Sequence, residues 1–225
     1  GATYQNAAEG YTSQVAGDGT AAYAATTRGL RKSVDDGANW TNSSGGLTST
    51  FLYGVSVSDG DVHVATLAGI ETSTDDGANF TQNAIGNSKR VIVQDSYIYV
   101  ATTGVKVSSN GGTSFDAKYT GDGLPSNSTR DLDAEDGTVA VATDSGLAVS
   151  LDHGAVFSPY QTSDGLPSND VKAVVVRKGM IYAGTAYGIA ATSDQGDSFS
   201  LMSASDGLPS DTVQALALDD EGNLY

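Results

Sequence analysis

The chain has 225 residues, 39% of them hydrophobic, with 28 glycines, no cysteine and a formal net charge of −16. Acidity of this size repels phosphate backbones and anionic headgroups, which argues against nucleic acid and direct membrane binding as partners. The lack of cysteine removes disulfides, thiolate metal sites and a cysteine nucleophile. No apolar run reaches the length of a membrane-spanning helix. A chain of this length suits one large all-β domain over residues 1–225, and surface charge that maintains solubility fits an extracellular, periplasmic or cell-surface setting.

In chain order, Thr3–Ala8 aligns with the segment starting at Ser198 and is expected to be an outermost strand. One plan then repeats. The strand AAYAAT (Ala21–Thr26) leads through the turn TTRG (Thr26–Gly29) into a short alternating strand and the phrase SVDDGANW (Ser33–Trp40). The same order recurs as VHVAT, GIETS and STDDGANF, then as YIYVAT, GVKVS and SSNGGTSF. It returns as VAVAT, GLAVS and SLDHGAVF, and finally as MIYAGT, GIAAT and TSDQGDSF. A still more apolar strand precedes each set, clearest in VKAVVV (Val171–Val176) and VQALAL (Val213–Leu218). Alternation of period two predicts strands throughout, and no stretch carries a helical period.

The turn phrases share the pattern S/T-x-D/N-x-G-x-x-aromatic. Its members are Ser33, Asp35, Gly37 and Trp40; Ser73, Asp75, Gly77 and Phe80; Ser108, Asn110, Gly112 and Phe115; Ser150, Asp152, Gly154 and Phe157; and Thr192, Asp194, Gly196 and Phe199. Asp or Asn accepts backbone N–H bonds in a tight turn, the hydroxyl does likewise, and Gly supplies a left-handed backbone. The aromatic is expected to bury its surface against a neighbouring unit.

Four short strands per unit of about 40 residues predict β-propeller blades. The blades fall at 11–50, 51–87, 88–128, 129–169 and 170–211, with a sixth split between 212–225 and 1–10. The alternative is a segment of a seven- or eight-bladed propeller. The turn phrases resemble the Asp-box, or BNR, repeat of sialidase-like propellers. The phrase DGLPS, followed by a strand, an acidic-Gly turn and LY or IYAGT, is similar to repeats of two-component-regulator sensor propellers. Neither resemblance implies a single activity.

SDGLPS at Ser163–Ser168 and Ser205–Ser210, and GDGLPS at Gly121–Ser126, read as the links from one blade's outer edge to the next blade's inner strand. In a propeller these links share a face with the turns between second and third strands. Between a constant Thr and Gly those turns vary, which is how loop-borne sites are built on a fixed scaffold. Candidate binding residues are Arg28, Leu67, Asp144 and Tyr187; the plainer alternative is that they are merely exposed turns. Asp131 and Asp133 are further candidates, since TRDLDA (Thr129–Ala134) puts carboxylates where sister strands carry Ala and Val. They could form a polar patch for a cation or sugar hydroxyls, or a salt-bridged lining partnered by Arg130 and Arg90.

No catalytic residue, metal set or cofactor motif emerges. The Arg-Ile-Pro segment that a sialidase resemblance would include is missing. A carboxylate pair such as Asp131 and Asp144 can be imagined for a glycoside hydrolase. His63 and His153 read as structural, and LDDEGNLY (Leu218–Tyr225) reads as an acidic-Gly hairpin rather than a calcium loop. The expected function is binding of carbohydrate or another protein at the channel face. The alternatives are a glycoside hydrolase, an extracytoplasmic sensor domain and a structural surface-assembly component. The sequence leaves the oligomeric state open.

Overall fold

A computed structural model describes residues 10–219 and 221–225, and its regular structure is almost wholly β. The first sheet holds β1 (Thr12–Gly17), β2 (Ala22–Thr26), β3 (Gly29–Ser33) and β4 (Thr41–Asn42). The second holds β5 (Gly54–Ser58), β6 (Asp61–Thr66), β7 (Gly69–Ser73) and β8 (Thr81–Asn83). The third holds β9 (Arg90–Gln94), β10 (Tyr97–Thr102), β11 (Gly104–Ser108) and β12 (Asp116–Lys118). The fourth holds β13 (Thr129–Glu135), β14 (Thr138–Thr143), β15 (Gly146–Ser150) and β16 (Ser158–Tyr160). The fifth holds β17 (Val171–Arg177), β18 (Met180–Thr185), β19 (Gly188–Thr192) and β20 (Ser200–Met202). In each sheet the strands lie side by side in chain order. The predicted strand Thr3–Ala8 lies outside the described residues. Ala217–Tyr225 forms a hairpin outline with a single bridge, Leu218 to Leu224, instead of two regular strands.

The chain divides into two compact units, Gly1–Val100 and Ala101–Tyr225. In the first, β1 packs against β5, and β5 against β9. Its core gathers Tyr23, Leu30, Leu52, Val55, Val62 and Val64, all fully buried, with Leu47 and Phe80 at the margin. In the second unit β13 packs against β17 around Leu147, Val149, Leu166, Val171, Val174 and Ile181. The third strand β15 is buried on both faces, which explains why GLAVS carries no exposed polar position before Ser150.

Packing first strand against first strand leaves one row of backbone N–H groups without a ladder partner, and such groups are costly to bury unpaired. Polar side chains of the preceding blade satisfy them. The Val55 N–H donates to Gln14 Oε1 at 3.2 Å and the Val93 N–H to Ser56 Oγ at 3.1 Å. In the second unit the Val174 N–H donates to Asp131 Oδ2 at 3.2 Å and the Val176 N–H to Asp133 Oδ2 at 2.8 Å, while the Lys178 N–H donates to Glu135 Oε2.

The turn phrases are built alike. The Ser33 hydroxyl donates to Asp35 Oδ1 and accepts from the Gly37 N–H, while Asp35 Oδ1 also takes the Asn39 N–H at 2.8 Å. The same bonds recur at Ser73–Asp75–Gly77, Ser108–Asn110–Gly112, Ser150–Asp152–Gly154 and Thr192–Asp194–Gly196. The residue before the constant Gly is left-handed too, with φ of 55° at Asp36, 58° at His153 and 65° at Gln195. His153 therefore occupies a strained turn position, in keeping with a structural role.

Neighbouring blades hold these turns. Tyr23 Oη donates to Asp76 Oδ1 at 2.7 Å and to the Asp76 carbonyl at 3.0 Å, and Lys32 Nζ pairs with Asp76 Oδ2 at 2.6 Å. Tyr160 Oη likewise reaches the Gln195 carbonyl at 3.0 Å, and Lys118 Nζ the Ala155 carbonyl at 3.0 Å. Tyr23→Phe is accordingly expected to cost about 1 kcal/mol, the typical net worth of such a bond. An unchanged urea midpoint would refute the brace.

The aromatics only partly follow the sequence expectation. Phe157 is buried, and Phe199 meets Tyr160 edge-on at 5.7 Å. Trp40 is not buried: it is 40% exposed and folds back so that Nε1 donates to the Gly37 carbonyl at 3.1 Å, covering its own turn.

Candidate functional site

The turns between second and third strands are fixed by their Thr and Gly. Each Thr is buried, and its hydroxyl donates to the carbonyl of the constant Gly: Thr26 to Gly29, Thr66 to Gly69, Thr102 to Gly104, Thr143 to Gly146 and Thr185 to Gly188. In four of the five the same oxygen also accepts the N–H of the second tip residue, as for Arg28 at 3.0 Å and Tyr187 at 3.0 Å. The Gly is required because its φ is positive, 144° at Gly69, and a Cβ there would overlap the Asn83 carbonyl oxygen. These bonds consume the constant residues and leave the tips outward. Arg28 and Asp144 are exposed, Leu67 is 56% exposed and Tyr187 68%.

The DGLPS links are equally self-contained. Asp122, Asp164 and Asp206 accept the N–H of the residue three earlier, Tyr119, Gln161 and Ser203, at 2.8–2.9 Å. The Ser126, Ser168 and Ser210 hydroxyls accept the N–H two residues on. Gly123, Gly165 and Gly207 close a single 3-10 turn with φ of 98°, 106° and 109°, and Leu124 and Leu166 tuck beneath. Asn127, Asn169 and Asp211 supply a second clasp from seven residues downstream, to Thr120, Thr162 and Ala204.

In the second unit polar and charged side chains gather around the tip that carries Asp144 and the link that carries Asp170. The Asp144 carboxyl is held below the usual carboxylate range, chiefly by the Ser126 hydroxyl, with Ser145, Ser128 and the Arg130 charge contributing. Arg130 pairs with Asp170 at 2.8 Å, and Asp170 also takes Lys172 at 3.1 Å. The Asp170 carbonyl accepts the Ala186 N–H at 3.1 Å, which places Tyr187 beside the pair. Asp144 and Tyr187 thus belong to one end of this unit. Asp131 and Asp133 do not join them, since each gives an oxygen to the β17 backbone as described.

In the first unit Arg28 and Leu67 sit on adjacent tips, and between them stands an aromatic pair absent from the sequence-based candidates. The Leu52 N–H donates to the Thr26 carbonyl at 3.0 Å and the Tyr53 N–H to the Ala65 carbonyl at 2.9 Å. Phe51 and Tyr53 flank Leu52, their rings 5.1 Å apart and tilted by 49°. Phe51 is 44% exposed, and Tyr11, which takes the Thr27 N–H on its carbonyl at 3.0 Å, is 86% exposed. The signal was in the link: SGGLTSTFLYG (Ser44–Gly54) aligns with SDGLPSNDVKA (Ser163–Ala173), so Phe51 and Tyr53 replace Asp170 and Lys172.

His63 is buried at the centre of β6, with Nδ1 2.9 Å from Thr72 Oγ1. Burial lowers its pKa to about 4, which keeps it neutral at physiological pH. In the final hairpin Asp219 accepts both the backbone and side-chain N–H groups of Asn223 at 2.8 and 2.7 Å, the pattern of an acidic turn. Among the described residues no group of three or more His, Asp or Glu is placed to hold a metal ion, and no helix is long and apolar enough to cross a membrane.

No family model and no curated protein matches the chain. Solved structures do. The extracellular domain of a hybrid two-component system from B. thetaiotaomicron matches with a TM-score of 0.77 at 18% identity, over 97% of this chain and 32% of that one. A second such domain from the same organism gives 0.73 at 17%, over 99% and 32%. An ancestral GH74 enzyme gives 0.73 at 16%, over 96% and 38%. The chain therefore spans about a third of the length of each of these relatives. Its fold is that of their propellers: all-β, built of four-stranded antiparallel blades.

Proposed function

We propose that the chain is a recognition module of an extracellular or cell-surface β-propeller, binding carbohydrate or protein through the Thr–Gly ends of its blades. The observation that carries this is the division of labour within the repeat. The constant Thr and Gly of the Thr–Gly turns, the Asp and Ser of the DGLPS links and the hydroxyl, Asp/Asn and Gly of the turn phrases make bonds within the scaffold, whereas the variable tip residues Arg28, Leu67, Asp144 and Tyr187 face outward. The five turn phrases fit Asp-box repeats in a purely structural role. A setting outside the cytoplasm agrees with the two matched extracellular sensor domains.

The chemistry of the tips favours binding over hydrolysis. A glycosidase acid needs a carboxyl whose pKa is raised, and the hydroxyls around Asp144 push it the other way. Asp131, the imagined second member of a pair, gives one oxygen to the Val174 N–H and the other to the Leu132 N–H. Screening the protein against arrayed oligosaccharides and peptides is expected to find a ligand whose affinity drops on the order of tenfold with Tyr187→Ala or Asp144→Asn. Unaltered thermal unfolding of these variants would show that the loss is one of contact. Turnover of the ligand, or indifference to every tip substitution, would overturn the proposal.

A further inference from the structure

We infer that Asn110 is a site of spontaneous covalent modification, an amide that the third turn phrase converts to aspartate through the Gly111 backbone nitrogen. Asn110–Gly111 is the single Asn-Gly pair of the sequence, and it falls where the other four phrases carry Asp35, Asp75, Asp152 and Asp194. In such a pair the backbone readily attacks the preceding side chain, because glycine brings no Cβ to obstruct the approach. The other phrases put Asp36, Asp76, His153 and Gln195 at that place. Asn110 and Gly111 are both exposed, and nothing lies within 4 Å of where a Gly111 Cβ would stand.

The reaction consumes only water. The Gly111 nitrogen attacks Asn110 Cγ, the new N–Cγ bond displaces Nδ2, and the Gly111 amide proton leaves with that nitrogen as ammonia. A cyclic imide then joins the two residues. Water added at Cγ breaks the N–Cγ bond and yields aspartate. Water added at the main-chain carbonyl carbon breaks the bond from that carbon to nitrogen instead and yields isoaspartate, whose chain runs through the β-carbon.

The turn is already shaped for the aspartate. Asn110 Oδ1 accepts the Ser108 hydroxyl at 2.9 Å and the Ser114 N–H at 3.0 Å, and Nδ2 donates to Ser114 Oγ at 2.9 Å. The fifth phrase has the same arrangement around a carboxylate: Asp194 accepts the Thr192 hydroxyl at 2.7 Å, the Ser198 N–H at 3.0 Å and, on Oδ2, the Ser198 hydroxyl at 2.6 Å. Ser114 stands where Ser198 does, so its hydroxyl has only to rotate from acceptor to donor. Hydrogen bonds to a carboxylate are shorter and stronger than those to an amide. They hold the Asp194 carboxyl down at about 2.

Isoaspartate cannot reproduce this set. It adds a carbon to the main chain between the Ser108 hydroxyl and the N–H groups of Gly112, Thr113 and Ser114 that close the turn. An isoaspartyl turn, deprived of those bonds, re-forms the imide with loss of water, whereas an aspartyl turn is held. Repeated passage therefore collects in aspartate. The fold also slows the first step, because the carboxamide has to release Ser108 and Ser114 before it is attacked.

The test is to age the whole chain in mildly alkaline buffer, folded and in urea, and to follow the Asn110 peptide by mass spectrometry that separates aspartate from isoaspartate. Folded protein is expected to lose the Asn110 amide ahead of its other asparagines and more slowly than in urea. It should give mostly aspartate where the unfolded chain gives mostly isoaspartate. Gly111→Gln, which copies Gln195 with its φ of 65° onto a residue at 62°, should slow the reaction on the order of tenfold while keeping the turn. Aged natural protein should run with Asn110→Asp on anion exchange. An intact Asn110 in the folded chain after the unfolded chain has reacted, an undiminished rate in Gly111→Gln, or a predominance of isoaspartate in both states overturns the inference. If Gly111→Gln fails to fold, the product ratio of the natural chain decides alone.

Discussion

Replacing Glu71 by alanine is expected to destabilise the protein by about 3 kcal/mol, the range for breaking a buried polar network and leaving donors unpaired. Glu71 is fully buried on β7, where sister strands carry Arg31, Lys106, Ala148 and Ala190. Its two oxygens accept the Thr48 N–H and the Thr48 hydroxyl, each at 2.8 Å, and Gln82 Nε2 donates to the same hydroxyl at 3.2 Å. Thr48 belongs to SGGLTS, the link that has lost the Asp and Pro of its sisters. The carboxylate supplies from outside the link the clasp that Asp122, Asp164 and Asp206 supply from within. Urea unfolding of Glu71→Ala, Thr48→Ala and the double variant measures it. A double variant no worse than Glu71→Ala alone is the expected coupling; full additivity would mean that the two residues act separately.

Acidification should expose a second weakness before the turn carboxylates are touched. The folded-state pKa of His63 is depressed to about 4, against about 6.5 in an unfolded chain. The unfolded state then binds more protons between those values, so stability falls as pH drops from about 6.5 to 4, by at most about 3 kcal/mol. Asp75 and Asp194, lowered to about 2 mainly by side-chain hydrogen bonds from Asn79 and Ser198, carry the sign of depressed acids. Their contribution is present above the ordinary carboxylate pKa and is lost only as pH falls from about 4 towards 2. Urea midpoints at pH 7 and pH 5 should differ for the natural protein and converge for His63→Gln. A drop that persists in the variant would assign the sensitivity to other groups.

What could be read from the sequence follows the reach of each interaction. The turn phrases and the DGLPS links close bonds over two to seven residues, so their chemistry is visible as a local pattern. The four-strand plan is equally local, since each strand pairs with its neighbour in the chain. Contacts between blades are not. Tyr23 reaches Asp76, Thr48 reaches Glu71, and Asp131 reaches Val174, across 53, 23 and 43 residues respectively. The two Asp residues of TRDLDA stand out as polar anomalies in the sequence, yet nothing local shows that a neighbouring backbone needs acceptors there. Phe51 and Tyr53 are hidden in the sequence for another reason: an aromatic beside an apolar strand reads as core until the flanking hydrogen bonds fix which residue, Leu52, turns inward.

The side chains that Gln14, Ser56, Asp131 and Asp133 extend to the following blade give these three joints a polarity, acceptor on the earlier blade and amide on the later one. Such a joint works like a plug and a socket of unlike shape. Tandem duplication preserves it automatically, because a copied blade carries its plug forward and offers its socket behind. A chimera that exchanges blades between homologous chains must therefore match the first-strand residue upstream of each cut, even where the cores on both sides are apolar and equal in volume. Core packing alone would leave the order of the blades interchangeable; the seam makes it directional.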